Sequence, residues 1–495
     1  MQLWNRPEFC GCIVVIAVLC YRVASPPAHL HHLPKAPFLA SLFTFLTRPV
    51  LEAMELVYWP VIFQTDYMLS WFLGSWWVVI SEPFVIKEIL SDANLGEKNL
   101  FTDLSPHALI GEYMGENILY SKGGQWRKLR GIIGPSFHRE WPIEIFNSCT
   151  AVMMEQIKNN GGKMIDVHTL FTAMTLDALG LAVLGVDFGA SRDPLASPYT
   201  QSYHRAARGV SKNIYFMFPF LEKLPIPSRT KDREAVREFR RLVSEVLQQK
   251  RKEIEDGTDK EDLITRMLLT ETVDLSDTQL INNVVVMFAA GHDTTANTLS
   301  FTLYHLSKNP EVQEKARDEI LSILRDSTTP TAQQLSRLVY LEAIILESMR
   351  LSPTLPQLRR ELKQPLYLPN GNIMPKGTLV LLQTYSAMNH PKHWDQPHKF
   401  NPMRFLSYDT KSSSWAPNFA ARSLFFAFGG GVRSCIGQNM AIVEQRAALS
   451  AILRNYRIEL PSDSPHKVRL ITNQDPVCRP VDLKLDFIPT PPVPQ

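Results

Sequence analysis

Cysteine is scarce in this chain of 495 residues: Cys10, Cys12, Cys20, Cys149, Cys435 and Cys478 are all there is. Three of them fall in one apolar N-terminal run and the others lie far apart. Neither a disulfide framework nor a zinc-type ligand pair is encoded, and the pattern fits a reducing compartment. An excess of one charge is also missing. Fifty-two Lys and Arg stand against 49 Asp and Glu, a formal net charge of +3. That balance leaves no electrostatic footprint for nucleic acid. No repeat period, long low-complexity run or linker is present, so the two or three domains that length alone suggests are not marked. Flavin and iron–sulfur motifs are absent as well.

What is present is enough apolar sequence, 45%, for one large core. From about Leu39 onward helical periodicity dominates. Short strand-like runs stand at Trp76 to Ile80 and at Gly377 to Leu382. The expected fold is mainly α with a minor β part. One helix is expected from about Gln125 through Ile133. A long one is expected from about Asp277 to Ser307, with Ser276 and Gln279 spaced as a capping box and Asn309-Pro310 as its stop. Its middle, VVVMFAAGHDTTANTLSF, is apolar nearly all round, which implies burial. A third helix is expected from about Leu335 to Arg350.

At the N-terminus, Phe9 to Tyr21 reads FCGCIVVIAVLCY. A signal peptide cleaved near Ala24-Ser25, a buried core helix and a short membrane anchor compete for it. The anchor is preferred, because Arg22 and Lys35 give a basic flank that keeps the body of the protein cytoplasmic. The expected organisation is an anchor over 1–25, a proline-rich hinge over 26–38, one large domain over 39–488 and a disordered tail over 489–495. Ile214 to Pro227, IYFMFPFLEKLPIP, is either a loop tucking its aromatics into the core or an apolar surface that meets lipid.

The strongest local signal is FFAFGGGVRSCIGQNMA, Phe425 to Ala441. Three consecutive glycines permit unusual backbone angles and close approach of another group. Cys435 follows at once, and a helical pattern begins after Gly437. A helix start and nearby Arg433 both favour thiolate, and exposed loop amides can hydrogen-bond a metal-bound sulfur. A lone cysteine is ordinarily a small buried hydrophobe; the surrounding frame argues otherwise.

Three further patterns stand out. Gly291, Asp293 and Thr294 are poor choices for the middle of a buried helix, and a local rule broken in a buried place points to function. A structural kink with a satisfied Asp is the plainer alternative. Glu347 and Arg350 have the i, i+3 spacing of a surface ion pair, yet LEAIIL around them is apolar. Trp126 and Arg130 lie one turn apart on one helix face.

Together, and in this order, these motifs resemble the cytochrome P450 family, from Pro34 to about Ile488. Phe428, Gly429, Gly431, Arg433, Cys435 and Gly437 match its haem-binding signature at every fixed position. The overall style resembles eukaryotic, microsomal and fungal-like members. The resemblance implies a single large haem domain of the P450 fold, with haem b as cofactor and Cys435 as the iron ligand. It implies that Thr294 hydrogen-bonds dioxygen and that Asp293 helps relay protons, with His292 a structural or substrate-side residue. Trp126, Arg130, Arg360 and Arg433 would hold the propionates, Arg359 being an alternative to Arg360. Glu347, Arg350 and Arg404 would form a buried structural triad. Phe428 and Gly437 complete the cofactor-binding set.

The implied activity is a monooxygenase that hydroxylates an apolar molecule. Electrons would come from NADPH–cytochrome P450 reductase, with cytochrome b5 as a further donor. The implied setting is the endoplasmic reticulum membrane, with a monomeric catalytic domain facing the cytosol and no nucleic-acid partner. Lys122, Arg127 and Lys128 are either a docking patch for an acidic partner or a solvated helix face. The alternatives in function are a P450-fold isomerase, dehydratase or peroxide-driven enzyme, and a haem sensor without turnover. Substrate walls are expected from Phe101 to Asn117, near Phe216, at Phe288 and Ala289, at Thr354-Leu355 and from Ile471 to Val477.

Overall fold

The computed structural model describes residues 25–72, 75–98, 107–138, 140–192, 197–258, 262–270, 275–410 and 414–491. The expected anchor segment lies outside these residues, as do positions 101–106 of the expected substrate wall and the last four residues of the tail.

The helices that position the site are α1 (Phe38–Thr47), α2 (Pro83–Ser91), α3 (Leu109–Met114), α4 (Gly123–Phe137), α5 (Ile143–Asn159), α6 (Val167–Leu179), α7 (Pro198–Val210), α8 (Pro227–Glu255), α9 (Asp277–Gly291), α10 (Asp293–Lys308), α11 (Val339–Leu351) and α12 (Gln438–Asn455). The strands of the main sheet are β1 (Tyr67–Phe72), β2 (Ser75–Ile80), β3 (Gly96–Glu97), β4 (Leu358–Leu362) and β5 (Leu379–Leu382). Among the described residues this sheet has the order β1-β2-β5-β4-β3. β1 and β2 form a hairpin with Tyr67 opposite Ile80. β5 joins β2 in parallel, with Val78 beside Val380. It runs antiparallel to β4.

The largest apolar cluster joins the helices, with Leu129, Phe146, Phe171, Phe239, Phe288 and Leu449 all buried. A second cluster packs the sheet against α2 through Val78, Ile86, Ile89 and Val380. The mainly α architecture with a small β part is the one expected. α4 extends past the expected ends on both sides. The third expected helix begins later, at Val339, after a separate turn over Ala332–Ser336.

The long helix begins with the expected capping box: Ser276 Oγ accepts from the Gln279 amide and the Gln279 side chain accepts from the Ser276 amide. It is not continuous, however. It breaks at His292 into α9 and α10. Hydroxyl groups meet backbone carbonyls at the break. Thr294 Oγ1 donates to the Ala290 carbonyl at 2.8 Å, and Thr175 Oγ1, reaching over from α6, lies 2.8 Å from Phe171 O and 3.1 Å from the His292 carbonyl oxygen. Gly291 permits that approach, since a Cβ there would lie 2.6 Å from Leu179 Cδ1.

Part of the proline-rich segment is docked on the sheet. The Ala36 amide donates to Leu69 O at 2.8 Å and the Leu69 amide to Pro34 O at 2.7 Å. Order at the C-terminus extends past the expected start of the tail: Pro489 pairs with Tyr456 and the Thr490 amide donates to Asn455 O. The 214–227 segment divides its apolar residues. Tyr215 is buried beneath the Arg229 guanidinium, whereas Ile214, Phe220 and Leu224 are exposed.

Candidate functional site

Cys435 sits in the loop that enters α12, whose N-cap is Gly437. Its amide donates to the Phe428 carbonyl at 2.9 Å and closes the loop on itself. Gly431 has φ +62°, and a Cβ there would lie 2.0 Å from the Leu90 carbonyl oxygen at the end of α2. The left-handed angle and the close approach each select glycine. Gly429 also has positive φ, +73°.

Cys435 is exposed as a residue, yet protein crowds it closely enough that lost solvation pushes its thiol pKa up. The Gly437 amide, Lys98 and Arg130 pull the other way. Here the structure corrects the expectation that Arg433 and the helix start make the free thiol acidic. The Arg433 guanidinium lies 4.0 Å over the Trp126 ring and donates to Ser121 O at 2.8 Å, so it is committed elsewhere. Desolvation outweighs the remaining cations. A metal cation on the sulfur is what removes such a proton outright.

Around this loop several cations lose solvent together. Burial and neighbouring Arg433 lower Arg360 to about 10. Burial brings Arg433 to about 10 and pushes Arg130 down. Lys98 is pushed well down by burial and by the positive charges of Arg360 and Arg433. Lys98 follows β3 and no sequence motif announces it. Among the described residues Lys98, Arg130, Arg360 and Arg433 form no ion pair, and Arg433 Nη1 is buried without a partner. Arg360 is buried and the other three are half-buried, and cations gathered this way out of solvent call for an anionic group. Of the two adjacent arginines, Arg360 shares its strand face with Leu358, whose Cδ1 lies 3.8 Å from where a Cβ on Gly429 would be.

Asp293 opens α10. Its Oδ2 accepts from the Tyr203 hydroxyl on α7, and its Oδ1 lies 3.4 Å from His292 Nε2. Burial alone would raise this carboxyl. His292, the Tyr203 hydroxyl, His168 and His204 outweigh burial and hold it below its ordinary range. Tyr203, His168 and His204 belong to no motif and were not expected here. Asp293 keeps 24% of its side-chain surface accessible. Ala290 is exposed and Thr294 half-buried in a helix whose other residues are mostly buried. Accessible side chains in so central an element mark an internal hollow.

The buried triad forms as an ionic network. Glu347 and Arg350 expose no side-chain surface and are 2.7 Å apart. Arg404 Nε lies 3.2 Å from Glu347 Oε1, and the Asn401 amide donates to the same oxygen at 2.9 Å. Trp394 lies under the Arg350 guanidinium, 5.1 Å from ring centre to Cζ.

The chain matches the family model for cytochrome P450 over residues 57–487. It is 29% identical over 419 residues to cytochrome P450 4F3 of Homo sapiens, covering 79% of this chain and 78% of that one. It is 28% identical over 448 residues to cytochrome P450 97B2, chloroplastic, of Glycine max, with 80% and 76% covered. Against cytochrome P450 4d2 of Drosophila melanogaster it is 26% identical over 430 residues, with 81% and 83% covered. Haem suits the donor set described above. The Cys435 thiol can ligate iron, and the two propionates bring negative charge to cations that form no ion pair of their own among the described residues. Since the match runs from Val57 to Phe487 and takes in each of these residues, the chain belongs to the cytochrome P450 family and is a haem-dependent monooxygenase.

Proposed function

We propose that the protein hydroxylates an apolar small molecule at an unactivated C–H bond, taking electrons from a separate flavoprotein reductase. Haem, when bound, supplies the activation of dioxygen. The chain supplies the ligand, the cradle, the protons and a dry pocket. Cys435 ligates iron through its sulfur, and the Gly437 amide tunes that sulfur by hydrogen bonding. Trp126, Arg130, Arg360 and Arg433 hold the propionates, with Lys98 beside them. Phe428 and Gly437 shape the loop. Asp293 and Thr294 deliver protons to the reacting oxygen. The observation that carries this assignment is the group of cations near Cys435, Arg360 buried and Lys98, Arg130 and Arg433 half-buried, that form no ion pair among the described residues.

The accessible apolar side chains Ala290, Leu355 and Val477 favour a fatty acid, steroid, terpenoid or xenobiotic as substrate. Arg127 and Lys128 are exposed on α4, with Lys122 just before it, and offer an acidic partner a docking patch. NADPH–cytochrome P450 reductase fits that description, with cytochrome b5 as a further donor. Leu39 and Phe43 on α1 and Phe220 are strongly exposed. Trp71 links the two regions, 5.5 Å from the Phe38 ring and 6.0 Å from the Phe218 ring. They form one apolar surface suited to lipid. With the anchor expected over 1–25, this surface supports our reading of a membrane-held enzyme, its catalytic domain facing the cytosol at the endoplasmic reticulum.

The test is a spectral titration of the purified ferric protein with fatty acids, steroids and terpenoids, followed by turnover with the reductase. The expected result is a low-spin to high-spin shift with one class, and oxygenated product from it. Cys435→Ala is expected to lose the thiolate spectrum while staying folded. A retained thiolate spectrum would overturn the ligand assignment.

A further inference from the structure

β4 carries two arginines in succession, and the pleat sends their side chains to opposite faces of the sheet. Strand register fixes which goes where. One row runs Leu69, Val78, Val380 and Arg360 across β1, β2, β5 and β4. On that face Val78 and Val380 pack against α2, whose end receives the Cys435 loop. The neighbouring row runs Met68, Val79, Leu381 and Arg359. Its three apolar members are fully buried in a different cluster, with Ala108 and with Phe301 of α10, and Ile110 and Phe216 pack against that cluster. Ala108, Ile110 and Phe216 come from the stretches expected to wall the substrate. Three apolar residues in register and then a cation is a row that packing alone does not call for.

Arg359 is half-buried and makes no ion pair among the described residues. Glu361, the nearest acid along the strand, does not pair with it. Lost solvation pulls the Arg359 pKa down, and the group that acts against this is the Tyr120 phenol. Tyr120 is itself set in place by Asn117, whose Oδ1 accepts from the Leu119 and Tyr120 amides at 2.8 and 3.2 Å. Two residues before Arg359, Gln357 Oε1 accepts from Gln383 Nε2 at 2.8 Å, which leaves the Gln357 N–H₂ group unspent among the described residues. Guanidinium, phenol and carboxamide are all hydrogen-bond donors. Donors gathered on an apolar wall are a site for an anion with an apolar body.

We propose that Arg359, with Tyr120 and Gln357, binds the carboxylate of the substrate, so that the substrate is an organic acid on an apolar frame. This rests on the reading of the protein as a hydroxylase of apolar molecules and narrows it. Arg360 and Arg359 then divide the work by strand face: the first serves the cofactor and the second selects the substrate. A neutral analogue would leave the guanidinium desolvated and unanswered, which is how a polar group in a pocket rejects the ligand that lacks its partner.

The test uses the full-length holoenzyme at neutral pH and follows the Soret band during titration with dodecanoic acid and with dodecanol. The same comparison is made with a steroid acid and a terpenoid acid against their alcohols. In at least one class the wild type is expected to bind the acid more tightly than the alcohol. Arg359→Met is expected to weaken the acid by on the order of tenfold or more, the size of a lost charge-assisted hydrogen bond, with alcohol affinity and haem content unmoved. Arg359→Lys is expected to recover part of the loss, and Arg360→Met to lose haem instead. Acid and alcohol weakened alike in Arg359→Met, or haem lost from it, would assign Arg359 to the cofactor or the fold and overturn the anion site. A wild type that binds the alcohols as well as the acids, or the alcohols alone, would overturn it too and leave the apolar-substrate reading standing. No shift with any compound, acid or neutral, would overturn both.

Discussion

Arg350 and Glu347 face each other with no side-chain surface exposed, joined by N–H···O bonds of 2.7 and 2.9 Å. The remaining guanidinium hydrogens of Arg350 go to Met388 O, Asn389 Oδ1 and Pro397 O. Every donor of a buried cation is thus satisfied, which is the condition under which such a pair is tolerated. Removing one charge strands the other. Glu347→Gln is expected to destabilise the fold by about 3–5 kcal/mol and to lower haem retention. Urea denaturation followed by circular dichroism measures the first, and absorbance per protein the second. A midpoint equal to that of wild type would make the pair a bystander.

Thr294 makes one hydrogen bond of its own, back to Ala290 O, and no side chain depends on its hydroxyl among the described residues. Thr294→Ala is therefore expected to leave stability nearly unchanged while uncoupling NADPH consumption from product. Peroxide should rise as product falls, by on the order of tenfold or more if the hydroxyl acts in proton delivery. Parallel assays of NADPH, peroxide and product decide it.

Two glycines separate backbone strain from crowding. Gly371 has φ +83° with nothing near the position of a Cβ, while Gly431 has φ +62° and the Leu90 carbonyl against it. Gly371→Ala is expected to cost about 1 kcal/mol. Gly431→Ala is expected to cost clearly more and to displace Cys435. Thermal melts of both variants, with the haem spectrum recorded alongside, test the contrast. Equal losses would show that the Leu90 contact yields freely.

Glu444 on α12 is buried with neither carboxyl oxygen partnered among the described residues, and burial raises its pKa well above 4.5. The folded protein therefore holds this proton where the unfolded chain has released it. The group's contribution is intact below pH 4.5 and is lost progressively as pH rises from there to the folded-state value. Glu444→Gln removes that slope. Its denaturation midpoint is expected to exceed that of wild type at neutral and alkaline pH, with the gap closing toward pH 4.5. A gap that does not change with pH would contradict the buried, protonated carboxyl.

Charge reversal at Arg127 and Lys128 addresses the reductase. Both side chains are exposed, so Arg127→Glu with Lys128→Glu is expected to spare stability. Reductase-supported turnover should fall and lose its dependence on ionic strength, while peroxide-supported turnover stays. Unchanged salt dependence would assign these residues to ordinary solvation.

The parts of the site legible in the sequence are those whose constraint is local. The Cys435 loop announces itself because glycine, cation and thiol must be neighbours in the chain. Glu347 and Arg350 announce themselves through helical spacing. What closes around them comes from afar: the Pro397 carbonyl for Arg350, Leu90 for Gly431, Tyr203 for Asp293. No spacing rule links such residues. The acid–alcohol pair was legible as a breach of helix propensity, but the Thr175 hydroxyl that meets the break at His292 comes from α6. The expectation about Arg433 failed for a similar reason. Nearness to Cys435 in sequence does not reveal that the guanidinium stacks on Trp126.

The seat of the Cys435 loop has a consequence for biosynthesis. Leu90 leaves the ribosome long before Gly431, so the carbonyl that receives the loop waits for most of the polypeptide to be made. Closing so wide a span costs chain entropy that local helix formation does not. A cofactor that binds only the closed form favours it by mass action. The supply of haem in the cell is thus expected to set how much of the chain matures. When haem is short, the fraction left with an open loop is the fraction that proteases reach first.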